Sequence, residues 1–341
     1  MKVHQNTLYV MSQGSYLRRR GETVQVRLEE RTVFQVPVHN LHSIVCFGNV
    51  ACSPFLLGLC GEKQVPVSFL SRTGRFLARV QAPVSGNVLL RRQQFRWADD
   101  EKRSTRIARD IVIGKLVNSR ILLQRALRDR QVPSDGVSEA VSHLRALLKE
   151  LSSADGRDQL RGLEGSAARR YFAALNDLIV DQQPAFRFSK RSRRPPLDPF
   201  NALISFLYTL LLHDCASAAQ SAGLDPAVGF LHDDRPGRPS LALDLMEEFR
   251  PFLADRLALS LVNRRQLSDK HFRHSESGAV LLNEAGRKTV LSAYQTRKKD
   301  EIEHPFLGEK AVIGLLPHLQ ATLLARHIRG DLEDYPPFVF R

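Results

Sequence analysis

The spacing of apolar residues changes once along the chain, near Val88, and this change limits the folds available to it. Up to about residue 82, short alternating or β-branched runs are separated by turn residues, which is typical of strands. From Val88 onward, apolar residues recur at intervals of three and four, as in helices. The 341 residues suffice for two domains. We therefore predict an α+β protein with an N-terminal β-sandwich domain (residues 1–85) and a larger all-α domain (residues 86–341), joined at Pro83 to Asn87.

Within the first region, six segments are predicted strands and one short segment is a predicted helix. The helix begins at Pro54, which suits a first turn, and stops near Gly61. The predicted strands are NTLYVM, ETVQVRLEE, TVFQVPV, SIVCFGNV, VPVSFLS and RFLARVQ.

A long central helix is predicted in the second region. Asp198 is suited to cap it and Pro199 to occupy its first turn. Gly223 is suited to end it. The most apolar stretch, Ala202 to Leu212, is too short to cross a bilayer. Because the first residues also lack an apolar run of signal-peptide length, we expect a buried helix in a cytoplasmic protein.

The formal net charge of the chain is +14, which favours a polyanionic partner through counterion release. Charge alone does not separate nucleic acid from a membrane surface. A membrane partner is disfavoured because the sequence has no basic amphipathic terminal helix and no lipidation signal. The motifs GxSxG, GxxxxGK[ST] and GxGxxG are absent, which removes the commonest nucleophile and nucleotide signatures.

The segment GFLHDDRPGRPSLALDLMEEFRP gathers acids in this basic chain. Ser240 is predicted to cap a helix that Pro251 interrupts or restarts. On that helix Asp244, Glu247 and Glu248 cluster near one face, and such a cluster costs stability unless a cation neutralises it. Two sources of positive charge are possible at this point. One is a divalent ion, for which Mn²⁺ or Mg²⁺ is more suitable than zinc, and the other is the nearby arginines. The candidate arginines are Arg235, Arg238 and Arg250.

A metal site would need ligands from other segments as well. His232 supplies an imidazole, and Glu164, between Gly162 and Gly165, is the candidate third ligand. We expect Glu164 to open a helix that packs into the core, although a lone acid there is also typical of a capping or solvent-facing residue. The segments HDD at His232 and HD at His213 suggest a histidine–aspartate phosphohydrolase, but that chemistry needs further histidines on neighbouring helices.

The segment FRFSKRSRRPP is strongly basic and is kept extended by its two prolines. It is either a solvated loop or a loop that contacts phosphates. Its basic residues are Arg187, Lys190, Arg191, Arg193 and Arg194.

Four segments in sequence order resemble one protein family. They are LEGSAARRYF, RRPPLDPFNALISFLYTLL, GLDPAVGFLHDDRPGRPSLALDLMEEFRP and DRLALSLVNRRQL. The family is Cas1, the CRISPR-associated endonuclease and integrase of spacer acquisition. The match is dense over residues 158–270. The later segment FRHSESGAVLLNEAGRKTVLSAYQTRKKDEIEHPF further resembles the branch found in type I-C systems.

The resemblance implies a dimerising β-sandwich, a helical catalytic domain, and a Mg²⁺ or Mn²⁺ site formed by Glu164, His232 and Glu247. Asp244 is implied as a supporting or alternate ligand, and we expect Glu248 to pair with an arginine. The implied reaction joins the 3′-hydroxyl of a short DNA fragment (the prespacer) to the CRISPR repeat. The implied partners are DNA, a second copy of the chain, the small subunit Cas2 in a heterohexamer, and the Cas4 nuclease.

The DNA must lie across an acidic site, so the positive charge of the surrounding residues has to exceed the negative charge of that site. The candidates are Arg169, Arg170, Arg187, Lys190, Arg191, Arg193, Arg194, Arg235 and Arg238. Two alternatives to the integrase stay open. One is a general metal-dependent nuclease of branched DNA, and the other is a noncatalytic DNA-binding scaffold.

Overall fold

The computed structural model describes residues 6–74, 76–80, 87–129, 135–180 and 183–340. The chain divides into two compact units. The first comprises Met1–Gly86, Leu291–Asp300 and Ile313–Leu315, and the second comprises Asn87–Val290, Glu301–Val312 and Leu316–Arg341. Apart from Asn87, the predicted linker lies outside the described residues.

Two four-stranded sheets and one α-helix form the described part of the N-terminal unit that precedes residue 81. The strands are Asn6–Val10 (β1), Ser15–Arg20 (β2), Thr23–Leu28 (β3), Arg31–Pro37 (β4), Leu41–Phe47 (β5), Val50–Cys52 (β6), Val67–Leu70 (β7) and Phe76–Val80 (β8), and the helix is Pro54–Glu62 (α1). One sheet has the order β1-β5-β7-β8 and is parallel except for the last pair. The other has the order β4-β3-β2-β6 and is antiparallel except for β2 with β6.

Residues from both sheets and from α1 share one apolar core. Leu17 of β2, Ile44 of β5 and Leu56 of α1 are completely buried in it. Two strands of this unit, β2 and β6, were not predicted as separate strands. In β2 the single buried leucine is followed by three arginines, which hides the alternation. The segment SIVCFGNV is split into β5 and β6 because Gly48 adopts a positive φ of 75° between them.

The second unit is mostly helical. Its helices are Val88–Asp99 (α2), Glu101–Asp129 (α3), Asp135–Leu151 (α4), Arg157–Asp177 (α5), Gln183–Phe186 (α6), Pro199–Ser221 (α7), Ser240–Phe249 (α8), Arg256–Asn263 (α9), Glu284–Lys298 (α10) and Leu316–Arg329 (α11). The last residues of α10 belong to the N-terminal unit. The β-rich part followed by a mostly helical part confirms the predicted α+β class.

The helical unit also contains two short hairpins, which the sequence pattern did not predict. One joins Phe272–His274 (β9) to Val280–Leu282 (β10), and the other joins Glu301–Glu303 (β11) to Lys310–Val312 (β12). Each strand has three residues, which is too short for a period of two to be recognised.

Helix α7 is the central helix that the sequence predicts. The Asp198 side chain accepts the Asn201 backbone N–H at 2.8 Å, Pro199 occupies the first turn, and Gly223 follows the end with φ of 83°. Its 23 residues are long and apolar enough to cross a membrane, but 78% of its most apolar window is buried. This confirms α7 as a core helix.

Five of the helices pack together around the candidate site. Helix α3 packs against α4, α5 and α8, and α8 also packs against α7. After α8 the chain continues as a π-helical segment, Arg250–Asp255, and then as α9. Because Pro251 has no N–H to donate, the regular hydrogen-bond pattern breaks there, as the sequence predicts.

Candidate active site

Two of the predicted ligands, Glu164 and Glu247, converge on one cation. Glu164 lies in α5, Glu247 in α8, and the ammonium of Lys115 comes from α3. Lys115 Nζ forms an ion pair with Glu164 and lies 2.6 Å from Glu247 Oε2. The side chains of Lys115 and Glu247 are only 10% and 2% exposed, and that of Glu164 is 25% exposed. The site is therefore an enclosed cluster with one acid facing its opening.

Glu164 reaches this cluster from the middle of a helix. We expected it to open a helix, but α5 begins at Arg157 and continues through Gly162 and Gly165. That expectation was wrong, because glycine lowers helix propensity without forbidding the conformation when neighbouring helices pack against it. A Cβ at either glycine would meet no atom within 4 Å.

His232 lies beside the same cluster, in the loop that precedes α8. Its Nε2 atom is 3.8 Å from Glu247 Oε1, while its Nδ1 atom is 2.7 Å from Asp244 Oδ1. The three side chains that the sequence proposes as ligands, Glu164, His232 and Glu247, are therefore brought to one place.

Asp244 holds the loop that carries His232. Its buried carboxylate accepts the backbone N–H of Phe230 at 2.6 Å, of Leu231 at 3.0 Å and of His232 at 3.0 Å, in addition to its contact with the His232 ring. A Cβ at Gly229 would lie 2.9 Å from Asp244 Oδ2, so the loop can approach this closely only with glycine there. These contacts suit a supporting role for Asp244 better than direct ligation.

The helix that carries Asp244 is not capped as the sequence predicts. Ser240 is the first residue of α8, and the preceding Pro239 makes no side-chain cap bond. The Ser240 hydroxyl instead donates to the carbonyl of Asp233 at 2.9 Å. The serine thus ties the loop to the helix.

Glu247 stays ionised despite its burial. Desolvation alone would raise its pKa, but the charges of Arg250, Lys115 and His232 outweigh it and lower the pKa to about 2. Arg250 Nη1 lies 2.6 Å from Glu247 Oε1. Of the candidate arginines, Arg250 is therefore the one that pairs with this acid, whereas Arg235 is exposed and Arg238 half-buried in the loop before α8.

The neighbouring acid, Glu248, turns away from the site. Its carboxylate accepts hydrogen bonds from Tyr335 at 2.7 Å, Gln320 at 3.0 Å and the backbone N–H of Phe338 at 2.7 Å. Burial raises its pKa to about 8, against the effect of these bonds. The predicted pairing with an arginine was wrong, because the side chain faces the segment after α11.

The predicted DNA-contacting residues have different surroundings. Arg170 pairs with Glu139 at 3.2 Å. Arg191 is half-buried: its guanidinium donates to Asn201 Oδ1 at 2.7 Å and to Ser205 Oγ at 3.1 Å. The other candidates in the basic stretch and in α5 are exposed, namely Arg169, Arg187, Lys190, Arg193 and Arg194.

Lys115 was not predicted as a site residue, although the sequence carries a signal. It is a single charge within the apolar run IVIGKLV of α3. A lysine at such a position is buried only when paired, which points to an acidic partner elsewhere in the chain.

The side chains present fit a divalent ion. Among the described residues no three His, Cys, Asp or Glu side chains are arranged as a metal site, because the Lys115 ammonium lies between the two glutamates. Glu247 Oε2 is buried and lies 2.6 Å from that ammonium, so a cation already occupies the point that both glutamates face. Asp244 fixes the far nitrogen of the His232 ring, as carboxylates do for metal-binding histidines. Two carboxylates and one imidazole suit Mg²⁺ or Mn²⁺.

The fold and the site together define a class of protein: a β-rich unit followed by a helical unit that holds a carboxylate–histidine centre. The family model for CRISPR associated protein Cas1 matches residues 8–296. The CRISPR-associated endonuclease Cas1 1 of Chlorobaculum tepidum is 54% identical over 100% of both chains, and Cas1 2 of Rhodospirillum rubrum is 51% identical over 100% of both. The chain belongs to the Cas1 family, as its motifs predict, and is an enzyme of this endonuclease and integrase family.

Solved structures agree with this assignment. A Cas1 protein from Thermotoga maritima superposes with a TM-score of 0.81 at 28% identity, over 95% of this chain and 97% of the other. A chain of a Cas6-RT-Cas1–Cas2 complex superposes with a TM-score of 0.82 at 26% identity, over 99% of this chain and 36% of the other. An exonuclease Cas4/endonuclease Cas1 fusion of Rhodospirillum rubrum is 34% identical over 97% of this chain and 57% of the fusion.

Proposed function

We propose that Glu164, His232 and Glu247 hold one Mg²⁺ or Mn²⁺ ion, and that the protein catalyses a direct transesterification. The 3′-hydroxyl of a short DNA fragment attacks a phosphodiester at the edge of a CRISPR repeat, and the new P–O bond replaces the P–O bond of the repeat strand, which leaves as a hydroxyl. The observation that carries this proposal is the shared cation: Lys115 Nζ contacts both glutamates, and His232 Nε2 lies 3.8 Å from Glu247 Oε1. When bound there, a divalent ion supplies Lewis-acid stabilisation of charge on the phosphoryl oxygens.

The side chains around the site have distinct tasks. Asp244 orients the His232 ring, so that Nε2 keeps its lone pair for the ion. Arg250 keeps Glu247 ionised, which a ligand carboxylate requires. No serine or tyrosine is assigned as nucleophile, since the attacking group is the hydroxyl of the DNA fragment itself.

DNA binding is assigned to exposed cations around this centre. They are Arg169, Arg187, Lys190, Arg193, Arg194 and Arg235, together with the half-buried Arg238. Arg170 and Arg191 have partners within the protein and contribute less. Phosphate contacts carry no base information, so selection of the repeat depends on DNA shape, on a few base contacts and on partner proteins.

The proposed assembly follows the family. The N-terminal unit forms a homodimer, and two dimers flank a dimer of Cas2 in the cytoplasm. The superposition on a chain from a Cas1–Cas2 complex and the similarity to a Cas4/Cas1 fusion support partnership with Cas2 and Cas4. The segment from Phe272 to Phe306 supports placement in the type I-C branch.

An integration assay tests the reaction. Supercoiled repeat DNA is incubated with Cas2 and a fragment carrying either a free or a blocked 3′ end, in Mg²⁺ or in Mn²⁺. We expect joined product only with the free 3′-hydroxyl, and a loss of about 10²-fold or more in Glu164→Gln and Glu247→Gln. Asp158→Asn is the matched control, because this acid lies in α5 with a side chain that is 97% exposed.

Each outcome decides between functions. Joined product from the blocked fragment contradicts the proposed nucleophile. Cleavage of branched DNA without joining supports the general nuclease, in which water replaces the hydroxyl. Full joining by Glu164→Gln and Glu247→Gln would show that the site does not perform the reaction.

A further inference from the structure

Lys115 is the one described cation that contacts acids on two different helices of the site. Its ammonium pairs with Glu164 of α5 and with Glu247 of α8, and its own helix is α3. Arg250, by contrast, pairs with Glu247 three residues earlier in the same helical stretch. Lys115 therefore links three helices at one point.

The position of this ammonium is costly without its partners. As a whole residue Lys115 is 8% exposed, and a buried ammonium without a partner loses the hydration that stabilises its charge. Two carboxylates facing one point also repel each other unless a cation lies between them. The lysine and the two glutamates thus compensate one another within the protein alone.

The same carboxylate oxygens are those proposed to hold the divalent ion. Glu247 Oε2 is buried and lies 2.6 Å from the Lys115 ammonium. An ion bound by both glutamates would need the space and the charge that the ammonium now uses. Both cations cannot keep their full set of contacts at once.

We propose that Lys115 is a built-in placeholder for the divalent ion: it neutralises Glu164 and Glu247 before the ion binds and leaves at least one of them when the ion enters. This inference rests on the proposed metal site. The exchange replaces one cation by another and needs no proton transfer. It predicts opposite effects of losing the lysine, because the metal-free protein becomes less stable while the ion, freed from a competitor, binds more tightly.

The test measures Mn²⁺ binding and stability, with no activity readout. Free Mn²⁺ is followed by electron paramagnetic resonance, and metal-free stability by urea unfolding with a chelator. We expect Lys115→Met to lower the Kd for Mn²⁺ by about tenfold and to lower the urea midpoint without metal. Saturating Mn²⁺ should then raise the midpoint more in the variant than in the wild type. Lys115→Gln, which keeps a polar group beside the glutamates, serves if the methionine variant does not fold.

Two further variants are matched controls. Lys115→Arg keeps the charge and should leave the Kd within about twofold of the wild type. Lys149→Met removes an exposed charge from α4 and should change neither the Kd nor the midpoint.

The two proposals fail separately. If Glu164→Gln binds Mn²⁺ as the wild type does, the proposed metal site is refuted, and the placeholder role of Lys115 is refuted with it. If Glu164→Gln abolishes binding but Lys115→Met and Lys115→Gln leave the Kd unchanged or higher, the metal site stands and the placeholder is overturned.

Discussion

Asp244 Oδ1 lies 2.7 Å from Nδ1 of His232, and the same carboxylate accepts three consecutive backbone N–H groups from Phe230 to His232. One buried side chain therefore fixes both the path of the loop and the orientation of the ring. Its negative charge also favours a proton on Nδ1, which leaves Nε2 as the nitrogen that faces Glu247.

The variant Asp244→Asn should weaken metal binding. The amide cannot accept all the N–H groups that the carboxylate accepts, and it no longer enforces the proton on Nδ1. We expect the Kd for Mn²⁺ to rise about 10- to 100-fold, as for other carboxylates behind a metal-binding histidine. Titration of Mn²⁺ checks this, together with urea unfolding to show that the variant is folded.

The control for that experiment is Asp234→Asn. Asp234 is an exposed acid of the same loop and accepts one longer bond, from Gly229 N at 3.3 Å. It should bind Mn²⁺ as the wild type does. Equal affinity in Asp244→Asn and the wild type would show that the ring does not depend on Asp244 for its orientation.

Asp255 should make stability depend on pH. Its buried carboxylate accepts the hydroxyls of Tyr171 and Tyr208, each at 2.8 Å. Burial raises its pKa from 3.8 to about 6, although these bonds and the charges of Arg191 and Arg250 oppose the shift. Because the folded state holds its proton more tightly, the stability from this group is full below about pH 4 and is lost as the pH rises through about 6.

The variant Asp255→Asn isolates this effect. An amide stays neutral and can still bond both tyrosines, so the wild type should lose stability relative to the variant between about pH 4 and pH 6, by at most about 1.4 kcal/mol per pH unit. Urea unfolding at several pH values, with a chelator, measures the difference. Asp158→Asn, an exposed control, should run parallel to the wild type. A parallel course for Asp255→Asn would refute the prediction.

Replacing Arg191 or Arg193 by alanine should affect stability differently, although the two residues are only two positions apart. The Arg191 guanidinium bonds Asn201 and Ser205 and lies 5.5 Å from the centre of the Tyr208 ring. Arg191→Ala should therefore lower the free energy of unfolding by about 2 kcal/mol. Arg193 is exposed, so Arg193→Ala should change stability by less than about 0.5 kcal/mol.

Arg193→Ala should weaken DNA binding although it leaves stability nearly unchanged. Loss of this side chain should reduce the slope of log K against log salt by about 1, because one phosphate contact disappears. Fluorescence anisotropy with labelled duplex at several salt concentrations measures the slope. An unchanged slope in Arg193→Ala, with Lys149→Ala as the control, would remove Arg193 from the DNA-binding surface.

The sequence predicted those features that local chemistry determines. The capping residues and length of α7 follow from Asp198, Pro199 and Gly223, and all three have the expected roles. The trio Glu164, His232 and Glu247 was implied by the family resemblance rather than by local chemistry, and the structure brings these side chains together.

Contacts between distant segments could not be predicted in the same way. Lys115 is 49 residues from Glu164 in sequence, and no local pattern connects them. Glu248 was expected to meet an arginine, but its partners include Phe338, 90 residues away. Where a side chain points depends on the packing of several helices, which spacing along one helix does not encode.

Glu247 and Glu248, consecutive residues of α8, lie in two different surroundings. Successive side chains of a helix diverge by about 100°. Glu248 is gripped by Tyr335 and Phe338, while Glu247 faces Lys115. The contacts of Glu248 with the chain beyond α11 thus restrict rotation of α8 about its own axis. Loss of these contacts would let Glu247 move away from Lys115, so residues outside the centre would govern how well it is assembled.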